Sequence, residues 1–308
     1  MQTVLTLKNI NKSFGKKKII DNISLDVNAG EVLGFLGPNG AGKTTTIKMI
    51  MGFLSVDSGE ITICGANLKQ NYEKAMSYLG GIVENPEMYK EITGRKNLEM
   101  YAKLHNGVTK ERIDEVIKLV GMEKRIDEKV KKYSLGMKQR AGLAQAILHK
   151  PKILILDEPT NGLDPAGIRE LRDILKHLAY DENTAVFVSS HMLSEMELMC
   201  DRIAIVENGK LIDIKLINDL LKTARGDNSY KFYTKQVEKA KEVLALEHSD
   251  KTLFVGEDFI TLKIEESEVP SFIKLFVMSD IALFGVNRTE VSLEDAFINI
   301  TGGGNTIA

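Results

Sequence analysis

At 308 residues, 43% of them hydrophobic, the chain is long enough for about two domains with ordinary buried cores. Its 41 basic and 43 acidic residues leave a formal net charge of -2, which excludes a bulk cationic field drawing in nucleic acid or anionic lipid. The two cysteines, Cys64 and Cys200, stand far apart with no Cys/His cluster near them, which excludes a disulfide framework or a zinc site and fits a reduced compartment.

The chain opens with alternating polar and apolar residues from Met1 to Lys8, a half-exposed strand rather than a signal peptide. Short strands are expected over Val4 to Leu7, Ile23 to Val27 and Glu31 to Leu36, with Asn28-Ala29-Gly30 as a hairpin turn between the last two. After Leu36 comes a glycine-rich stretch, Gly37 to Gly42, and then helix-compatible sequence from Lys43 through Met51. From about residue 86 to 150 the periodicity is helical, an inserted lobe that includes Leu98, Tyr101, Ala102 and His105 and a helix from Met137 to His149. Apolar strands return at Lys152 to Leu156, Ala185 to Val188 and Ile203 to Val206, with a helix over Leu171 to Leu178, which predicts a parallel α/β core. None of these runs approaches the roughly 20 residues needed to cross a bilayer, so membrane passage is assigned to another chain.

The turn cluster Gly226-Asp227-Asn228-Ser229 marks a boundary, giving a first domain over residues 1–225 and a second over 226–308. The second reads strand (Tyr230 to Tyr233), helix (Val237 to Leu246), two strands (Thr252 to Val255, Phe259 to Ile264), helix (Ser271 to Val277) and strand (Ile281 to Val286), the order of a small α+β ferredoxin-like module. Ser292-Leu293-Glu294-Asp295 resembles a helix start and Gly302-Gly303-Gly304 a frayed tail.

Gly37-Pro38-Asn39-Gly40-Ala41-Gly42-Lys43-Thr44 fits the phosphate-loop pattern G-x-x-x-x-G-K-[ST] in the setting that pattern requires, after a strand and before a helix. Its glycines let backbone N–H groups point at phosphates, and the helix end and Lys43 neutralise their charge. Thr44 supplies a hydroxyl oxygen to Mg²⁺, and Thr45 follows within the nucleotide-binding set. Asp157 and Glu158 end the apolar strand Ile153 to Leu156. There Asp157 can hold Mg²⁺ mainly through water, and Glu158 can accept a proton from, or orient, the water attacking a γ-phosphate. In Tyr133-Ser134-Leu135-Gly136-Met137, Ser134 and Gly136 present a hydroxyl and an N–H at a helix start, a second anion-binding feature that is on its own more often a simple cap.

These segments, with Pro159-Thr160-Asn161-Gly162-Leu163-Asp164 and Ser189-Ser190-His191 after them, stand in an order that resembles the ATP-binding subunits of ABC transporters. The resemblance covers residues from 3 to about 220. It implies a P-loop NTPase core with an antiparallel β subdomain and an inserted helical subdomain. It also implies that Ser134 and Gly136 of one subunit close over ATP held by the P-loop of another, in a homodimer or pseudo-dimer. His191 then contacts the γ-phosphate with Glu158 and Lys43 as catalytic partners, Asp164 belongs to the loop crossing the dimer interface, and Phe14 stacks on adenine. The implied partner is a separate transmembrane permease, with the chain peripheral on the cytoplasmic face of the membrane and no nucleic acid expected.

Two departures narrow the reading. The serine-glycine segment most often reads L-S-G-G-Q in the family, and here Leu135 and Met137 replace the second glycine and the glutamine. Glu84 stands where most members carry a glutamine that touches Mg²⁺; glutamate keeps an oxygen ligand, loses the amide donor and adds charge beside the metal. Together with the C-terminal module, Glu84 is similar to the bacitracin-resistance and lantibiotic-immunity branch, which implies export of a peptide antibiotic. A generic exporter ATPase, or a non-transport ABC ATPase on ribosome or DNA, stays open, as does the part played by the C-terminal module: dimerisation, regulation or stiffening of the permease contact.

Overall fold

The computed structural model describes residues 2–220, 229–247 and 251–288, and the chain divides into two compact units between Ile217 and Asn218. The first unit is built on two sheets. β1 (Thr3–Phe14), β2 (Lys17–Asn28), β4 (Ser58–Ile63) and β5 (Ala66–Asn67) form an antiparallel sheet in the order β2-β1-β4-β5. β3 (Val32–Leu36), β6 (Leu79–Ile82), β7 (Ile153–Leu156), β8 (Ala185–Ser190), β9 (Arg202–Glu207) and β10 (Lys210–Leu216) form a second sheet in the order β10-β9-β3-β8-β7-β6. Its pairs are parallel except β9 with β10.

The two sheets follow from two sequence patterns. β2 alternates, burying Ile20, Ile23, Leu25 and Val27 while polar residues between them stay outside, as a sheet with one wet face requires. β3, β7 and β8 are buried at every position, which only the interior of a covered parallel sheet can accommodate. This difference overturns the expected hairpin at Asn28-Ala29-Gly30. β2 pairs with β1 through the turn at Gly15, and the Asn28–Gly30 segment carries the chain from one sheet to the other. Helix α1 (Lys43–Ile50) contributes Ile47, Met49 and Ile50 to a core shared with Leu5, Ile23 and Val27 of the first sheet and Phe35, Ile155 and Phe187 of the second. The Phe35 and Phe187 rings stand 5.2 Å apart.

α2 (Tyr72–Ser77) precedes β6, and the inserted lobe between β6 and β7 holds α3 (Gly94–Ala102), α4 (Lys110–Leu119) and α5 (Leu135–Ile147). Each of these three begins at a hydroxyl cap: Thr93, Thr109 and Ser134 accept the N–H groups of Lys96, Arg112 and Met137. At the other end of α5, Arg112 donates to the carbonyls of Ile147 and Leu148 at 2.8 and 3.3 Å, closing the helix from α4. α6 (Pro165–Tyr180) and α7 (Leu193–Met199) follow β7 and β8. β9 and β10 are joined at Asn208-Gly209, both left-handed at φ 48° and 77°, as a two-residue hairpin turn demands.

In the second unit β11 (Ser229–Tyr233), α8 (Val237–Glu247), β12 (Thr252–Val255), β13 (Phe259–Lys263), α9 (Val269–Met278) and β14 (Gly285–Arg288) follow in chain order. The sheet runs β12-β13-β11-β14, antiparallel throughout, with Phe232, Ile260 and Leu262 packed on Leu244, Phe272 and Phe276. The last strand starts at Gly285 rather than Ile281. Ile281, only 2% exposed, is spent on the core in the turn after α9 instead of on the sheet. The residues 226–228, the helix start expected at Ser292 and the glycine tail at 302–304 lie outside the described residues.

Candidate nucleotide site

Gly37 to Gly42 links the end of β3 to the start of α1, the strand-loop-helix setting of a phosphate site. The loop is tied on several sides: Gly37 N–H donates to Ser190 O at 3.4 Å, Ala41 N–H to Pro38 O at 3.1 Å, and Gly209 N–H to Ala41 O at 3.1 Å. Gly42 caps α1 at φ 99°, a left-handed backbone that any side chain strains. A methyl group there would meet Ile20 Cδ1 at 2.5 Å and Ile19 O at 3.2 Å. Gly42→Ala is therefore expected to cost about 1–3 kcal/mol of stability. The checks are a melting temperature lowered by several degrees and weaker ATP binding in a fluorescence titration.

Lys43, 5% exposed, turns back over the loop and donates to Gly37 O at 2.7 Å and Pro38 O at 3.3 Å. Its ammonium also pairs with Glu158 Oε1 at 3.1 Å. The other carboxylate oxygen, Oε2, accepts from Asn161 Nδ2 at 2.8 Å and lies 2.8 Å from His191 Nδ1. The P-loop lysine, the carboxylate after β7 and the histidine after β8 thus form one cluster at the carboxyl ends of neighbouring parallel strands, where ligands sit in open α/β sheets. Burial by itself would raise the Glu158 carboxyl, but the hydrogen bonds from Asn161, Lys43 and His191 outweigh it and hold the group below its ordinary value. Glu158 is accordingly ionised at neutral pH, and beside a carboxylate His191 Nδ1 is the nitrogen that donates.

Asp157 is buried, and Ser189 Oγ joins it to its neighbour, donating to Asp157 Oδ1 at 2.7 Å while accepting the Glu158 N–H at 2.9 Å. Thr44 and Thr45 occupy the first turn of α1. Phe14, 53% exposed, ends β1 opposite Lys17, and Lys12 Nζ stands 5.7 Å from its ring centre. The same hairpin meets the P-loop through Ile19 and Ile20.

Four expected residues stand outside this cluster. Ser134 caps α5 and Asp164 caps α6, its Oδ1 accepting the Gly167 N–H at 3.0 Å. At Gly136 a methyl group would make only an ordinary contact, 3.5 Å to Leu163 Cδ2. The serine-glycine segment therefore faces the loop before α6 rather than the P-loop of its own chain. Glu84, exposed and left-handed at φ 61°, pairs with Lys48 Nζ at 2.7 Å. Lys48 is one turn, about 6 Å, along α1 from Thr44. Asn161, Ser189 and Lys48 are contacts that the sequence reading did not assign; Asn161 and Ser189 did lie within the quoted motifs.

Among the described residues no helix is long and apolar enough to cross a membrane. Residues 20–161 match the ABC transporter family. The chain is 52% identical to an uncharacterised ABC transporter ATP-binding protein, YhcH, of Bacillus subtilis, over 98% of this chain and 97% of that one. It is 40% identical to the bacitracin transport ATP-binding protein BcrA of Bacillus licheniformis over 99% of both chains. A solved ATP-binding subunit of an ABC transporter superposes on 72% of this chain and 93% of its own, with a TM-score of 0.65 and 28% identity.

Proposed function

The chain belongs to the ABC transporter ATP-binding proteins, and from that premise we propose that it hydrolyses ATP as one of a pair of subunits to drive export of a peptide antibiotic through a separate permease. The observation that carries the catalytic reading is the cluster of Lys43, Glu158 and His191, each within 3.1 Å of the next. Lys43 and the N–H groups of Gly37 to Gly42 hold the phosphates. Glu158, kept ionised, accepts a proton from the attacking water or orients it, and His191 fixes the carboxylate and faces the γ-phosphate.

Magnesium takes few protein oxygens and completes its shell with phosphate and water, so the Thr44 hydroxyl and Asp157, oriented by Ser189, suit it. When bound, the ion neutralises charge on the phosphates. Glu84 belongs to the same reading as an oxygen near that ion, with Lys48 as its second partner. Phe14, at the tip of a hairpin that touches the P-loop, is placed for stacking on a base.

Ser134 and Gly136 are assigned to the phosphates of a second copy, with Asp164 on the loop between the two. Among the described residues nothing demands a glycine at position 136, whereas a backbone N–H closing over a phosphate does. The permease places the pair on the cytoplasmic face of the membrane. The substrate class rests on the relative that transports bacitracin.

Deleting the gene is expected to sensitise its host to bacitracin or a lantibiotic. The wild-type gene should restore resistance; Glu158→Gln should not, and Glu84→Gln should restore it only in part while reducing Mg²⁺-dependent ATPase. Unchanged sensitivity across a panel of peptide antibiotics would refute the substrate class and leave the ATPase reading standing. A Glu84→Gln protein equal to wild type in both assays would remove Glu84 from coupling. Its exposed ion pair is worth at most about 1 kcal/mol, so a folding defect is not expected to confuse the result.

A further inference from the structure

A second carboxylate sits behind the cluster. Glu195, in the first turn of α7 and 9% exposed, accepts two hydrogen bonds on the same oxygen, Oε2: one from Thr160 Oγ1 at 2.6 Å and one from Ser190 Oγ at 2.9 Å. Thr160 is two residues past Glu158 and opens the segment that runs to Asp164. Ser190 immediately precedes His191. One oxygen atom therefore joins the two loops that present the carboxylate and its histidine.

Ser190 is itself held on two further sides. Its Oγ accepts the Met192 N–H at 2.9 Å, and its carbonyl accepts the N–H of Gly37, the first residue of the P-loop. The chain of contacts thus runs from the P-loop through Ser190 and Glu195 to the loop of Asp164. A buried carboxylate is costly, and an apolar side chain would anchor a short helix at less cost. Hydrogen bonds to an ionised acceptor are about twice as strong as neutral ones, which makes Glu195 suited to fixing two hydroxyls in place.

We propose that Glu195 is a positioning residue for ATP hydrolysis: by holding Thr160 and Ser190 on one oxygen it sets the spacing of Glu158 and His191 and makes the 160–164 loop move with the histidine. This rests on the roles given above to Glu158 and His191. Steady-state ATPase, ATP binding and melting temperature of the full chain test it, using Glu195→Ala, Glu195→Gln, Thr160→Val and the pair Glu195→Ala/Thr160→Val.

Misplacing a reacting group by about 1 Å costs on the order of 100-fold, so Glu195→Ala is expected to lower kcat by about 10- to 100-fold. Its KM for ATP should change by less than about threefold, since the interaction acts on the transition state rather than on binding. Glu195→Gln keeps an oxygen able to accept both hydroxyls and should stay within about fivefold of wild type. Thr160→Val should lower kcat several-fold alone and no further in the Glu195→Ala background, as a shared contact requires.

Normal kcat in Glu195→Ala, a lowered melting temperature with unchanged kcat, additive losses in the pair, or Glu195→Gln as impaired as Glu195→Ala would each overturn the proposal. Should Glu195→Ala fail to fold, Thr160→Val with wild-type turnover overturns it just as well. The underlying reading fails separately, by a Glu158→Gln protein that still turns over ATP; if that variant is inactive while Glu195→Ala is normal, only the role of Glu195 falls.

Discussion

Glu158→Gln is expected to bind ATP with wild-type affinity and to turn it over about 100- to 1,000-fold more slowly, the range by which loss of a positioned proton acceptor and its charge slows a reaction. The geometry explains why binding survives. Glutamine has the same shape, and its amide oxygen can keep the contacts of Oε2 with Asn161 and His191. Its amide nitrogen then faces Lys43 in place of Oε1, which removes the 3.1 Å ion pair and frees the ammonium for phosphate. The variant should accumulate as an ATP-bound dimer, seen by size-exclusion chromatography with ATP and lost without it. Turnover within about threefold of wild type would take Glu158 out of the role of base.

Lys43→Ala is expected to act one step earlier. Lys43 is 5% exposed, and its ammonium satisfies the carbonyls of Gly37 and Pro38 and supplies one of the bonds that hold Glu158 ionised. Removing it strips the phosphate loop of its one cation and leaves a partly buried carboxylate short of a partner. ATP affinity should fall by about 100-fold or more, which is about 2.7 kcal/mol. Calorimetric titration checks this, and turnover should be lost with it. The two variants are thus expected to separate binding from hydrolysis, and a Lys43→Ala protein that bound ATP normally would contradict the assignment of the loop.

Much of the site was legible because its chemistry is local in sequence. Gly37 to Thr44 is contiguous, Asp157 and Glu158 end a four-residue apolar run, and Ser134 directly precedes the helix it caps. What escaped depends on which strands become neighbours. Ser189 bridges Asp157 and Glu158 only because β7 and β8 pair in register, Leu156 against Val188. Thr160 and Glu195 are 35 residues apart, and Lys48 and Glu84 are 36 apart. The misplaced hairpin at Asn28-Ala29-Gly30 has a similar origin. A turn signal says that the chain reverses, and only the two-sided burial of β3 says that it changes sheets. The Asn208-Gly209 hairpin went unassigned in the sequence, although those two residues carry the signal for a two-residue turn.

That turn has a consequence for how a ligand is measured. Gly209 gives its N–H to Ala41 in the P-loop and its carbonyl to the N–H of Asp21 on β2, and a methyl group on it would lie 2.0 Å from Ile19 O. The hairpin that ends at Phe14 and the loop that grips phosphate are therefore riveted to the same glycine by main-chain bonds. Main-chain bonds, rather than side-chain contacts, tie the two together at that point. With Phe14 and the P-loop in the roles proposed for them, the site would act as a gauge: a molecule would be selected by whether its flat end and its charged end span the gap, so length would count before the identity of the base.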